Sequence, residues 1–243
     1  GEAEGWNAFV FGNLNASADT EGTLAVGGDM VALSGYHVGR TTGYGVSPPE
    51  TNGAEDYLVV GGDLDAGGWP VYGGNAVVGG DAWRHGQPGQ PGKPWTQAVT
   101  FEHGTGNALT SNVGYENVGV DFDAAKADLT AKSSYWSTLD QTGTVSYNSD
   151  HNHIFLEGTG DLVVFNLVED QLDRINRSFN VDPGSTVLVN ISGLNPTMES
   201  WSWAVNGNAT MNSMPNEANI LFNFFEAQTL TVGSTQVPGS TSR

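Results

Sequence analysis

Three copies of one short pattern constrain this chain more than anything else in it. Leu24-Ala25-Val26-Gly27-Gly28-Asp29-Met30 returns as Leu58-Val59-Val60-Gly61-Gly62-Asp63-Leu64 and again as Ala76-Val77-Val78-Gly79-Gly80-Asp81-Ala82. Each copy is a short apolar run, two glycines, an aspartate and a residue able to point inward. Val-Gly-Gly-Asp begins at 26, 60 and 78, so the copies lie 34 and then 18 residues apart. The first gap is close to twice the second, which predicts a period of about 17 or 18 with one copy degenerate or absent. A short period of strand plus tight turn belongs to coil-by-coil stacks, because one unit cannot bury its apolar face alone. The expected fold is therefore mainly β, a β-solenoid (β-helix).

Within a copy, branched residues such as Val59 and Val60 favour extended backbone. The paired glycines are expected to supply a positive φ and a close backbone approach at a corner. The aspartate is expected to close the turn on its own backbone. A calcium reading stands beside this one, with Asp29, Asp63 and Asp81 aligned at equivalent corners, although the nine-residue spacing of calcium-binding β-rolls is absent.

Charge narrows the partners. With 8 Lys+Arg against 27 Asp+Glu the formal net charge is −19, which disfavours nucleic acid and anionic membrane surfaces. There is no cysteine, so a secreted chain of this kind must be held by its core, by repeat stacking or by calcium. No run of about 18 apolar residues occurs, so no membrane-inserted segment is expected.

Along the chain, Trp6 to Gly12 reads as an opening strand. Gly35 to Gly53 is a Gly/Tyr/Thr-rich insertion placed to hold the degenerate copy. Gly86 to Pro94 contains three Gly-x-Pro triplets and reads as a polyproline-type loop. Ala98-Val99-Thr100-Phe101 is a further strand. Phe122 to Leu139 is the one long helix: Phe122, Ala125, Leu129, Trp136 and Leu139 fall on one stripe of helical period, with Asp121 or Asp123 to cap the start and Gly143 the end. It is expected to pack alongside the solenoid. Strands follow at Thr144–Tyr147, Asp161–Leu167, Thr186–Ile191 and Ile220–Phe224, and a short helix is predicted for Glu169–Arg177. Residues 1–232 read as one domain and 233–243 as a Ser/Thr/Gly-rich linker or the start of an anchor region.

The ordered segments resemble the choice-of-anchor A domain, an adhesin module found at the N-terminus of bacterial surface proteins. The resemblance rests on Ala8–Gly12, Glu21–Asp29, Leu58–Asp63, Asn75–Asp81, the Phe122–Leu139 helix, Val164–Leu167, Gly184–Gly193 and Ile220–Ala227, and it covers nearly the whole chain. It implies a secreted module followed by a variable anchor, with a solenoid architecture similar to one class of ice-binding proteins. Relatives continue into a Gly-Ser-Ile-Leu-Ala-Pro type of segment. Here Val232-Gly233-Ser234-Thr235-Gln236-Val237-Pro238 stands instead, so the last coil is expected to be altered, missing or cut away, leaving a strand edge open to another chain.

Candidate chemistry is sparse. Trp201 and Trp203, with Trp69 and Tyr72, are candidate aromatic platforms for sugar, or else core caps. His151 and His153, beside Asp150, are spaced to share one face of a strand and are candidate metal ligands. Asp63 and Asp65 are candidates for calcium, but acidic pairs arise freely in so acidic a chain. There is no thiol nucleophile and no Gly-x-Ser-x-Gly elbow, and no acid pair or arginine is marked out for catalysis. The sequence therefore reads as a non-enzymatic adhesin or structural module at the bacterial cell surface. It would contribute to cell adhesion or biofilm by contacting host or matrix glycans, proteins or copies of itself through its loops. No cofactor is implied with certainty, calcium being the one candidate. A sugar- or ice-binding module and a self-assembling matrix or filament subunit are the rival readings. The three repeats carry no threonine in register, which disfavours a flat ice-binding face.

Overall fold

The structure, a computed structural model, describes residues 2–3, 5–17, 19–20, 22–33, 35–39, 55–85, 98–102, 106–172, 176–198, 202–207, 220–232 and 240–242. The fold is mainly β with one α-helix, and among the described residues every strand pairing except one is parallel. The chain divides into two compact units, Gly1–Lys126 and Ala127–Arg243.

The first unit holds β1 (Ala8–Val10), β2 (Leu14–Ala16), β3 (Leu24–Val26), β4 (Met30–Ala32), β5 (Asp56–Val60), β6 (Leu64–Ala66), β7 (Trp69–Tyr72), β8 (Asn75–Val78), β9 (Ala82–Arg84), β10 (Val99–Glu102) and β11 (Leu109–Thr110). One sheet runs β1-β3-β5-β8-β11, a second β2-β4-β6-β9, and a third pairs β7 with β10. Val38 bridges both Thr20 and Val71 and so extends the third sheet. Successive copies of the repeat sit in register, Leu24 beside Leu58 and Leu58 beside Ala76.

The 34-residue gap is a single step. β3 pairs directly with β5, so no copy intervenes in that sheet. The degenerate copy stands ahead of the first one instead, as Val10-Phe11-Gly12-Asn13-Leu14, with Val10 beside Val26 and Leu14 beside Met30.

Side chains alternate in the second sheet. Met30, Ala32, Leu64 and Ala66 are buried while Val31 and Asp65 face outward. The inward residues join Leu24, Val26, Leu58, Val60, Trp69 and Val71 in one core, each large member contributing about 1.5–3 kcal/mol by burial. The first sheet is covered on its other face too, where Ala25 and Val59 cluster with Val118 and Phe122. Burial on both faces is why its strands read as unbroken apolar runs.

Helix α1 spans Phe122–Trp136. Asp121 caps it, its Oδ1 accepting the Ala124 N–H at 2.8 Å. The helix ends before Leu139, where the Ser137 and Thr138 hydroxyls donate to the carbonyls of Ser134 and Tyr135, each at 2.7 Å. Gly143 is no helix cap: a Cβ there would lie 2.2 Å from the Phe165 ring.

The second unit holds β12 (Thr144–Tyr147), β13 (His153–Gly158), β14 (Leu162–Val168), β15 (Asn176–Val181), β16 (Thr186–Ser192), β17 (Thr197–Met198), β18 (Ser202–Val205), β19 (Ile220–Asn223), β20 (Thr231–Val232) and β21 (Ser240–Ser242). Its sheets run β12-β13-β15-β18, β14-β16-β19-β21 and β17-β20, with β12 and β13 the antiparallel pair. β21, within the stretch read as linker, pairs with β19. The helix expected at Glu169–Arg177 is a 3₁₀ turn at Glu169–Gln171, followed by strand from Asn176. Arg177, Phe179 and Val181 alternate inward along that strand, a period of two and not a helical one. Residues 173–175, like the Gly-x-Pro segment and most of the 35–53 insertion, lie outside the described residues.

Candidate binding surface

The corners of the repeat form a ladder. Asn13 Oδ1 accepts the Asp29 N–H at 2.9 Å, Asp29 Oδ1 the Asp63 N–H at 2.9 Å, and Asp63 Oδ1 the Asp81 N–H at 2.8 Å. Asp29 and Asp63 therefore each bond the next copy. The glycines make the stacking possible. A Cβ on Gly61 would lie 2.5 Å from the Gly27 carbonyl oxygen, and one on Gly62 would lie 2.2 Å from Asp29 Oδ1. None of the six glycines in the three copies has a positive φ. They are needed for close approach alone, which corrects the expectation of a left-handed corner.

Asp29 and Asp63 thus each commit one carboxylate oxygen to backbone. Among the described residues no group of three or more His, Cys, Asp or Glu is placed to hold a metal ion. His151 and His153 do not share a strand face. His151 sits in the preceding turn at φ +53°, with its ring 5.6 Å from that of Tyr147. His153 opens β13, where its Nε2 meets Ser178 Oγ at 2.8 Å and its ring stacks on Phe155 at 4.1 Å.

The aromatic candidates separate. Trp69 is a core residue, 3% exposed. Its indole N–H donates to the Ala32 carbonyl at 2.7 Å and its ring meets Tyr36 edge-on at 5.1 Å. Tyr72 is half-buried, its ring 5.9 Å from the His37 imidazole. Trp203 lies in β18 beside Arg177 of β15, and Trp201 lies outside the described residues.

What the sequence did not single out is the outward column of the second sheet. Asn15, Val31, Asp65 and Trp83 are consecutive register partners across β2, β4, β6 and β9. Asn15, Val31 and Asp65 alternate with buried or half-buried neighbours, and Trp83, between buried Ala82 and exposed Arg84, is half-buried on an edge strand. Asp65 Oδ2 is held by His85 Nδ1 at 3.0 Å. Trp83 escaped notice because Arg84 and His85 beside it break any apolar signal, and only the strand register brings Asp65 to it.

In the second unit the outward residues of β14, β16 and β19 form another ladder. Asn190 Nδ2 donates to Asn166 Oδ1 at 2.9 Å and Asn223 Nδ2 to Asn190 Oδ1 at 2.9 Å. Ser133 of α1 donates to Asn223 Oδ1 at 2.6 Å, and its carbonyl accepts from Asn223 Nδ2 at 3.0 Å. Asn223 is fully buried. This row fixes structure and leaves no polar group presented to a ligand at Asn223.

The fold is built mainly of parallel β-strands, and the corner carboxylates of Asp29 and Asp63 serve the backbone of the next copy. The chain belongs to the family described as a putative ice-binding-like adhesive domain, whose model matches residues 1–241. No curated protein and no solved structure matches it. Among the described residues no helix is long and apolar enough to cross a membrane.

Proposed function

We propose that the chain is a non-catalytic adhesive module, displayed outside a bacterial cell, whose stacked strands form a β-solenoid that carries contact residues on its outer faces. Membership in an adhesive-domain family over residues 1–241 carries this reading. The register-locked strands support it, since a scaffold whose polar corners are tied to each other presents a surface at little entropic cost. The choice-of-anchor A assignment, an anchor beyond this domain, and a role in cell adhesion and biofilm belong to the same reading. Calcium is not required by it, because Asp29 and Asp63 already serve the backbone. The test is binding of the purified chain to an array of glycans and matrix proteins, with calcium and again with a chelator. Binding that survives the chelator is expected. A blank array under both conditions would refute adhesion to glycans and matrix.

Self-association is a second reading with an observation behind it. Among the described residues β1 and β2 each have one partner strand, and a strand edge left unpaired can accept another chain. Sedimentation velocity over a hundredfold range of concentration distinguishes it, with a single monomeric boundary excluding it.

A further inference from the structure

We propose that Trp83, Asp65 and His85 form a binding site for a neutral sugar. This rests on the adhesive reading above and supplies its ligand class. Asp65 and Trp83 are direct register partners facing outward on adjacent parallel strands, a spacing at which their side chains are neighbours. Asp65 Oδ2 is anchored by His85. Its Oδ1 is buried and has no hydrogen-bond partner among the described residues, although the side chain as a whole is 18% exposed. A buried carboxylate oxygen without a donor is costly, so a site that brings it one is favoured. A sugar hydroxyl is such a donor.

Trp83 supplies the other half. It is the large aromatic of the column, on the strand that ends that sheet among the described residues. A half-buried indole offers apolar surface to the C–H-bearing side of a pyranose ring whose hydroxyls approach the carboxylate. Arg84 follows Trp83 in the chain with its guanidinium along Gly68, where a Cβ would sit 3.1 Å from Cζ, and the peptide titration below separates a neutral from a cationic ligand. The net charge of −19 repels anions. His85, 55% exposed, offers its remaining ring nitrogen at the rim.

The experiment titrates the full chain with neutral methyl glucosides, galactosides and N-acetylglucosaminides, and in parallel with a lysine-rich peptide, read by saturation-transfer NMR. Transfer to the ring C–H protons of at least one sugar is expected. Affinity should fall at least about tenfold in Trp83→Ala, the loss of a central aromatic contact, and several-fold in Asp65→Ala. Tyr135→Ala, on the exposed side of α1, should leave it unchanged. Circular dichroism melts confirm that each variant is folded, and Trp83→Phe serves if Trp83→Ala is not, since a smaller ring should keep part of the affinity. Sugar binding indifferent to Trp83, no sugar binding at all, or Trp83-dependent binding of the peptide alone each overturns the proposal. Adhesion that persists in Trp83→Ala overturns this site while leaving the adhesive function standing. A wild-type chain that adheres to nothing overturns the function itself.

Discussion

Asp63 Oδ1 accepts the backbone N–H of Asp81 at 2.8 Å, a bond between residues 18 positions apart that are equivalent in two copies of the repeat. It makes the aspartate of each copy the receptor for the next. Asparagine fills the same role at the first rung, where Asn13 receives Asp29. Asp63→Asn should therefore be nearly neutral in urea unfolding, whereas Asp63→Ala should cost about 1–3 kcal/mol, the price of a part-buried N–H left without a partner. Equal losses in the two variants would show that the charge, as at a metal site, is what matters.

The same stacking dictates a contrast among glycines. Gly61→Ala and Gly62→Ala place a Cβ at 2.5 and 2.2 Å from oxygens of the preceding copy, and each should destabilise by about 3 kcal/mol or more. Gly12 occupies the equivalent position in the first rung. A Cβ there meets nothing within 4 Å, so Gly12→Ala should stay within about 0.5 kcal/mol of wild type. Thermal melts of the three variants check this.

The buried asparagine row should behave as a unit. Asn223→Ala deprives Ser133 and Asn190 of their partners and should cost about 2–4 kcal/mol. Combined with Ser133→Ala the losses should fall short of additivity by about 0.5–3 kcal/mol. A strictly additive double-mutant cycle would contradict the geometry.

Burial raises the Tyr36 phenol above its ordinary value of 10.0, the Thr20 hydrogen bond opposing and the Asp19 charge adding to the effect. Folded Tyr36 therefore keeps its proton where the unfolded chain has lost it. The stability this gives is intact below pH 10 and drains away as pH rises beyond it. Tyr36→Phe should be less stable at neutral pH by about 1 kcal/mol, for loss of the Thr20 bond, yet decline less steeply between pH 10 and 12. Chemical denaturation across that range gives both slopes.

Much of the scaffold was legible because Val-Gly-Gly-Asp states its geometry in four residues. Its glycines were expected to serve both a positive φ and a close approach, which leave the same mark in a sequence, and only the close approach is used. The degenerate copy was misplaced because the edge rung needs no first glycine, so Phe11 stands there and hides the match. α1 was legible from its stripe, but Ser133, a polar residue on that stripe, was not singled out. Its partner Asn223 lies 90 residues away, and the steps from Asn166 to Asn190 to Asn223 are 24 and 33 residues. Unequal steps of that kind conceal a ladder. Trp69 read either as a sugar platform or as a core cap because Gly67, Gly68 and Pro70 around it mimic a loop, and its burial decides for the core.

The adhesive account is tested most directly by retention under flow. Microspheres coated with the whole chain would be passed over surfaces bearing neutral glycans, matrix proteins or ice, beside uncoated spheres. The account predicts retention on at least one neutral glycan surface, unchanged by chelator and lost when the coat carries Trp83→Ala. Coated spheres that detach from every surface at the same shear as bare ones would contradict it.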